Sequence, residues 1–424
     1  MLFTGLLFFI FLIVIRPQDF LPGIKGAPIV FITMSVLLAV WMMAHQNKKL
    51  IRMPQDKYVS LFFLSIVIST LTAKWITYSI DITIETIKIA LIYYFIVTIV
   101  DSFDRLIKTT WVIVLLMSVV GFMGILQHYG YNITGVEMIF AADKGIWQIR
   151  GIGLFDNPND LAYSVVLVIP FCLGLFLSTN NPIAKLFSIF LILSSCYCIF
   201  LTGSRGGLLA LFGCLSLWLF FWIENIRIRK LMILFVCLAM IGAFVSLTQD
   251  YRNDKSSMGR VEAWVAGMEM FKAHPLIGVG KDQFREYHKK DSHNSYVRVG
   301  SELGFLGLYA FIGTLYFTFI SLLKTPYEKI KLKTLNNYRA GYGGYLGAYS
   351  IASIFSTRTY DIIFLICVAL IGTSSRLVLN EIEEEPAGFQ TERCWYHSGI
   401  AHLYVFLLTM FSIFVWKLFL IQVW

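Results

Sequence analysis

The side chains of this sequence that could do chemistry lie in three polar segments, each at the border of a long apolar run. In the first segment, Arg150 precedes a turn-forming run from Asn157 to Asp160. A guanidinium in such a place favours an anionic partner such as a phosphate. Asn and Asp side chains also satisfy the free amides of a helix start, so Asn157 and Asp160 could be a helix cap and nothing more.

The second segment, 202–209, reads Thr-Gly-Ser-Arg-Gly-Gly-Leu-Leu and separates two apolar runs. Its paired glycines would let the backbone approach a ligand closely. Arg205 would lie where the next helix begins, and a helix N-terminus already favours anions. The alternative is a tight turn whose arginine extends along apolar surface to reach water.

The third segment combines a helical pattern with a histidine. Apolar residues recur at helical spacing within 260–273, which predicts an amphipathic helix that Arg260 opens and that lies on the membrane surface. The chain then turns, and His293-Asn294 leads into the next apolar run. An imidazole has an unperturbed pKa of about 6.5, which suits a base at neutral pH, although a histidine at such a border is more often a surface or capping residue.

Glu302 lies inside that apolar run, where a carboxylate is costly and marks a functional or a pairing site. In another run, Glu85 and Lys88 have the spacing of a helical ion pair. A small-residue packing face for a neighbouring helix is predicted at Gly300, Gly304 and Gly307. No acidic cluster with metal-ligand spacing accompanies the polar segments, so neither a metal nor a cofactor is expected.

Composition defines the elements that must position these residues. Of the 424 residues, 57% are apolar and 14% are charged, whereas a soluble domain has about 45–50% and 25%. Apolar runs near the roughly 20 residues that a span needs extend along the whole chain. They predict an all-α polytopic membrane protein of about 12–13 spans, with 1–424 as one membrane domain. The Lys and Arg residues are dispersed, so nucleic acid is not an expected partner.

Orientation follows from the basic residues. The predicted spans are 2–15, 28–45, 58–77, 84–100, 106–128, 161–178, 184–201, 207–223, 231–248, 296–323, 340–356, 362–379 and 401–420. The even-numbered connections hold more Lys and Arg than the short odd-numbered ones, so they are expected to face the cytoplasm. The long connection, 249–295, is left out of this comparison because long loops translocate largely regardless of charge. The segments 129–160 and 249–295 are therefore predicted to lie outside.

Four stretches resemble motifs of the bacterial O-antigen ligase and polymerase superfamily. The run His293-Asn294, nine residues, then Gly304-Phe-Leu-Gly307 resembles its histidine motif. The other three stretches resemble its second arginine motif, its Gly-x-x-x-Asn-Pro-Asn segment and its outer-loop signature; they are Arg205-x-x-x-Leu209, Arg150 through Ala162, and Gly259-Arg260 through Gly280. All four stretches lie on the side predicted to be outside. The orientation is inferred from basic residues alone, so it supports the resemblance independently.

The resemblance implies a membrane glycosyltransferase of the GT-C type, which takes a glycan from undecaprenyl diphosphate on the periplasmic side of the bacterial inner membrane. His293 would be the catalytic base. Arg205 and Arg260 would bind the diphosphate, with Arg150 as a third ligand. The remaining candidate site residues would support these groups; they are Asn294, Asn157 and Glu302. The implied reaction is a metal-independent single displacement with inversion.

Several reactions fit this resemblance. The motif set and the compact outer loop favour ligase-like transfer to a hydroxyl of lipid A core or a similar lipid or glycan acceptor. The alternatives within the superfamily are an O-antigen or exopolysaccharide polymerase and a protein O-oligosaccharyltransferase. A polysaccharide transporter or flippase is the alternative from another class, although transporters place polar sites near the bilayer midplane and the candidates here lie at one face.

Overall fold

The structure is a computed structural model that describes residues 1–44, 50–141, 145–152, 155, 157–225, 227–232, 255–330, 335–383 and 399–423. It is almost entirely helical, which confirms the predicted all-α class. Its principal helices are α1 (Leu2–Ile15), α2 (Ile29–Ala44), α3 (Pro54–Ser69), α4 (Ile76–Ile99), α5 (Phe103–His128), α6 (Pro158–Val165), α7 (Val168–Ser178), α8 (Pro182–Leu201), α9 (Arg205–Trp222), α10 (Lys255–Ala273), α11 (Ser295–Lys324), α12 (Leu335–Phe355), α13 (Ile362–Glu383) and α14 (Gly399–Val423).

Short elements fill some of the connections. They are the 3-10 turns Pro17–Asp19, Pro22–Ile24, Thr70–Thr72 and Tyr327–Lys329, the helical turn Phe284–Tyr287, and the antiparallel strands β1 (Ile139–Ala141) and β2 (Ile146–Gln148). Within the described ranges, nine helical stretches are long and apolar enough to cross a membrane. The chain is therefore a multi-pass membrane protein.

Every predicted span except 231–248 corresponds to a described helix, and that span lies almost wholly outside the described residues. The largest differences concern α3 and α4. Pro54 occupies the first turn of α3, and the Asp56 carboxylate accepts hydrogen bonds from the backbone N–H groups of Arg52 and Met53, both at 2.8 Å. These polar contacts start the helix before its apolar run begins.

Helix α4 begins at Ile76, eight residues before the predicted span. The eight added residues, 76–83, include one charged residue, Asp81, and the next two charges, Glu85 and Lys88, lie inside the predicted span. The Lys88 ammonium lies 2.5 Å from the Glu85 carboxylate, as their helical spacing predicted. Intrahelical pairing of this kind lowers the cost of keeping both charges close to lipid.

Helix α10 differs from its prediction at its start. It begins at Lys255, so Arg260 lies inside the helix and does not open it. Part of its apolar side packs on the protein, and a position on the membrane surface stays a prediction. The buried cluster consists of Ala263, Met268, Met270, Val279, Phe284, Val297 and Trp416. The helix is thereby fixed against α11 and α14.

Helix α11 is broken at Gly304, which was predicted to be part of a packing face. Gly304 has φ 63° and ψ −159°, a conformation that only glycine adopts without strain. The loop 275–280 supplies partners for the opened backbone: the N–H of Phe305 donates to the Pro275 carbonyl at 2.8 Å, and the N–H of Gly280 donates to the Glu302 carbonyl at 2.9 Å. The outer loop is thus inserted into the break.

Candidate active site

The second polar segment forms a tight turn that ends in a helix cap. Helix α9 begins at Arg205, as predicted, and Ser204 is its N-cap: the Ser204 hydroxyl accepts from the N–H of Gly207 at 2.9 Å. The same hydroxyl donates to Oδ1 of Asn159 at 2.6 Å. This bond connects the Arg205 turn directly to the start of α6.

The paired glycines of this turn serve packing between helices. A Cβ on Gly206 would overlap the Tyr163 hydroxyl, and a Cβ on Gly207 would lie 2.6 Å from Cβ of Ala162. The space beside the glycines is therefore filled by α6, and a close approach of their backbone to a ligand stays a prediction. The glycines also place the exposed Arg205 beside the first turn of α6.

The first polar segment is built around caps and anchors. Oδ1 of Asn157 accepts from the N–H of Asn159 at 2.9 Å, which confirms the capping interpretation of Asn157. Arg150 is held through its backbone, whose N–H donates to Oε1 of Gln127 at 2.8 Å. On β2, Nε2 of Gln148 donates to the Thr202 carbonyl at 2.7 Å. These contacts bring the segment of Arg150 and the turn before Arg205 to the same end of α5 and α9.

His293 lies directly before α11 on a strained backbone. Its φ is 46°, the left-handed region that non-glycine residues seldom adopt. Asn294 is the N-cap of α11, and its Oδ1 accepts from the N–H groups of Tyr296 and Val297 at 2.9 and 3.1 Å. The side chain of His293 is exposed. In the described part of the chain its imidazole has no hydrogen-bond partner within range, so the ring can meet a substrate.

Charged groups from several elements surround this imidazole. The pKa of His293 lies below its ordinary value because the nearby protein restricts hydration of the ring, and Asp291 opposes this shift. Arg260 from α10 and Arg285 lower the pKa further, whereas Asp160 from α6 raises it. The net shift favours the neutral form of the ring. Arg260 also acts on Tyr163 of α6, so His293, Arg260 and the start of α6 lie within electrostatic range of one another.

Glu302 has a pairing role. It is fully buried, and its carboxylate lies 2.5 Å from the Arg298 guanidinium. It also accepts from the Tyr360 hydroxyl at 3.1 Å and from the N–H of Phe284 at 3.2 Å. Of the two predicted interpretations, functional or pairing, these contacts favour pairing, with Glu302 supporting the outer loop from beneath.

Sequence reasoning missed a second set of charged residues around the site. Arg298 pairs with Asp282 at 2.8 Å and with Asp291 at 2.7 Å. Arg358 pairs with Asp160 at 3.2 Å and also with Asp361. One signal was available, since Arg298 precedes Glu302 by four residues, the spacing of a helical ion pair. The other partners are distant in sequence and meet only after folding.

A cavity of about 860 Å³ opens beside this cluster. Its lining includes Asp160, Arg285 and Asp291, three of the groups that act on His293. Further charged residues line it as well; among them are Arg16, Asp19, Glu85 and Lys88. The lining from α1 and α2 is apolar and includes Phe9, Ile13, Val30, Phe31 and Met34. The lining does not include the predicted site residues His293, Arg205, Arg260 and Arg150. The cavity therefore adjoins the predicted site, and its amphipathic lining suits a molecule with a polar head and an apolar chain.

Comparison with known protein families gives a match over part of the chain. Residues 189–312 match the family described as O-antigen ligase. The matched range includes Arg205, Arg260 and His293, whereas Arg150 and Asn157 precede it. A search of curated proteins gives no significant match. The match over 189–312 confirms the predicted resemblance to the O-antigen ligase and polymerase superfamily.

Proposed function

We propose that this protein is an O-antigen ligase-like glycosyltransferase, which transfers a glycan from undecaprenyl diphosphate to an acceptor hydroxyl on the periplasmic side of the bacterial inner membrane. The observation that carries the proposal is the exposed imidazole of His293, whose pKa is lowered and on which Arg260 acts electrostatically, with an amphipathic cavity adjoining. A base, a cation for a diphosphate and a place for a lipid chain are what this transfer requires.

His293 acts as the general base in the proposed reaction. The acceptor oxygen attacks the anomeric carbon and its proton passes to a ring nitrogen of His293. The bond between the anomeric carbon and the diphosphate oxygen breaks, and the lipid diphosphate leaves with the electron pair. The lowered pKa of His293 favours the neutral ring that this step needs.

Arginines stabilise the leaving group. Negative charge grows on the diphosphate as the bond breaks, and a guanidinium can bind two of its oxygens through charge-assisted hydrogen bonds. Arg260 acts electrostatically on His293, and Arg205 begins α9 where the free amides of the first turn also favour anions. Arg150, on the segment tied to the Arg205 turn, is the third candidate. This arginine set supports a metal-independent reaction.

The reaction we propose is a single displacement, so the anomeric configuration of the transferred sugar inverts. Glycosidases use a carboxylate pair to protonate a poor leaving group. A diphosphate is already a good leaving group, so a single base is sufficient here. Asn294 and Asn157 support the site by capping α11 and α6.

Transfer by the purified protein tests this proposal. The full chain in lipid nanodiscs would be given undecaprenyl-diphosphate glycan with lipid A core, with a second donor molecule or with a peptide as acceptor. One capped lipid species is expected. A ladder of glycan lengths would instead indicate a polymerase, and a glycosylated peptide a protein oligosaccharyltransferase. Bound donor with no transfer to any acceptor would contradict the transferase and favour a transporter or flippase.

A further inference from the structure

The carboxylate of Asp291 lies at the centre of the contacts that hold the His293 loop. Its Oδ1 accepts from the N–H of Ser292 at 2.7 Å, from Nη1 of Arg298 at 2.7 Å and from the hydroxyl of Thr357 at 3.1 Å. The side chain of Asp291 is only 15% exposed. The residue directly before His293 is thus bound through its backbone to a partly buried carboxylate.

Asp291 is itself fixed from two directions. Arg298, only 6% exposed, is held by Asp282 and Glu302 as well as by Asp291, so its guanidinium has little freedom to move. Thr357 belongs to the connection between α12 and α13, which is tied to α11 where the N–H of Arg358 donates to Oγ of Ser295 at 2.7 Å. Asp291 therefore joins the His293 loop to α11 and to the connection between α12 and α13.

Resting on the function proposed above, we propose that Asp291 is the positioning residue of His293: it holds the left-handed backbone at His293 and stabilises the positive ring that forms when His293 takes the acceptor proton. The first effect acts through the bond from Ser292 to Asp291. The second is electrostatic, because the fixed negative charge of Asp291 acts directly on the imidazole. Arg298 and Thr357 keep that charge in place.

The charged groups near His293 determine how the loss of the Asp291 charge should change the pKa of the imidazole. Arg260 on α10 and Arg285 disfavour a positive ring, whereas Asp160 on α6 and Asp291 favour it. Asp291→Asn removes one of the two favourable charges, so the pKa of His293 falls further. A base is lost as pH falls through its pKa, so the acid limb of the pH profile of kcat/KM moves to lower pH.

The test compares pH profiles of kcat/KM for transfer by the full chain in nanodiscs, with the same undecaprenyl-diphosphate donor throughout. Asp291→Asn is expected to lower the plateau by about 10-fold or more, part of the roughly 10²–10⁴ that a general base supplies, and to shift the acid limb to lower pH. Asp291→Glu keeps the charge, so its limb should stay at the wild-type pH. Glu269→Gln, an exposed carboxylate paired with Lys272 on α10, is the matched control and should match wild type.

An unshifted acid limb in Asp291→Asn would overturn the positioning role, whatever the rate, because a merely structural residue lowers activity without moving the limb. Should that variant fail to fold, Asp291→Ser takes its place. It also removes the charge that acts on His293, so the same shift of the acid limb to lower pH is expected, and an unshifted limb would overturn the proposal. Failure of the function itself is distinct: wild type would then show no transfer.

Discussion

At the scale of single residues, the proposed chemistry depends on one imidazole and on arginines that differ in how firmly they are placed. His293 is exposed and carries a lowered pKa, and Arg260 contributes to that shift. Arg205 is exposed at the start of α9, and its position derives from Ser204, which bonds to Asn159. The geometry of the guanidinium, and not its charge alone, should therefore decide how well Arg205 binds a diphosphate.

Arg205→Lys tests this geometry. Lysine keeps the positive charge but loses the planar fork that binds two oxygens at once. We expect kcat/KM for the lipid-diphosphate donor to fall by about 10-fold or more, the equivalent of one charge-assisted hydrogen bond. Arg227→Lys, at an exposed position near the other end of α9, is the control and should match wild type. Unchanged donor kinetics in Arg205→Lys would exclude a bidentate contact.

Individual residues show how far sequence reasoning reaches. Local patterns were sufficient for Asn157, whose cap needs only the residues that follow it, and for the Glu85–Lys88 pair. They were insufficient for Arg298, because two of its partners, Asp282 and Asp291, come from a loop whose path is decided by tertiary contacts. Lysine and arginine in loops inform topology, so Arg358 was counted as a topological signal and its ion pairs were missed.

At the scale of elements, the apolar periodicity predicted the helices well, and the break in α11 is the main exception. In the sequence, nothing distinguishes Gly304 from Gly300 and Gly307, which lie on the same predicted helix. Its conformation depends on the inserted loop 275–280, whose carbonyls replace the lost helical partners. A helix pattern cannot show this, since the partners lie on another segment.

Gly304→Ala tests the inserted loop. The residue has φ +63°, and a Cβ would lie 2.5 Å from the backbone N of Ile277. We expect a loss of about 1–3 kcal/mol in stability and a clearly lower thermal transition in detergent. Gly23→Ala is the matched control, because nothing lies within 4 Å of its Cβ, and its transition should equal that of wild type. Equal transitions for both variants would show that Gly304 is not constrained as described.

At the scale of the whole molecule, the sequence anticipated that the polar segments share one face, and the contacts agree. Ser204 bonds to Asn159, Arg358 pairs with Asp160, and Ser295 accepts from Arg358. These segments are separated by spans, so folding alone brings them together. The side of the membrane on which this face lies is still inferred from the distribution of basic residues. That 1–424 is one membrane domain, with 129–160 and 249–295 on its outer side, stays a prediction.

Cysteine labelling tests the orientation. Asn132 lies in the predicted outer segment and Asn180 in the connection between α7 and α8, and both are exposed. In right-side-out vesicles, a membrane-impermeant maleimide should label Asn132→Cys above the wild-type background and leave Asn180→Cys unlabelled until the membrane is opened. The reverse pattern would place the site on the cytoplasmic side.

The most direct test of the central claim is transfer by His293→Ala in nanodiscs, measured together with binding of the undecaprenyl-diphosphate donor. His274→Ala, another histidine of the same outer segment, is the control. We predict that transfer falls by about 10²–10⁴ in His293→Ala, while donor binding and the control remain as in wild type. Transfer above about half of the wild-type rate in His293→Ala would contradict the assignment of His293 as the general base.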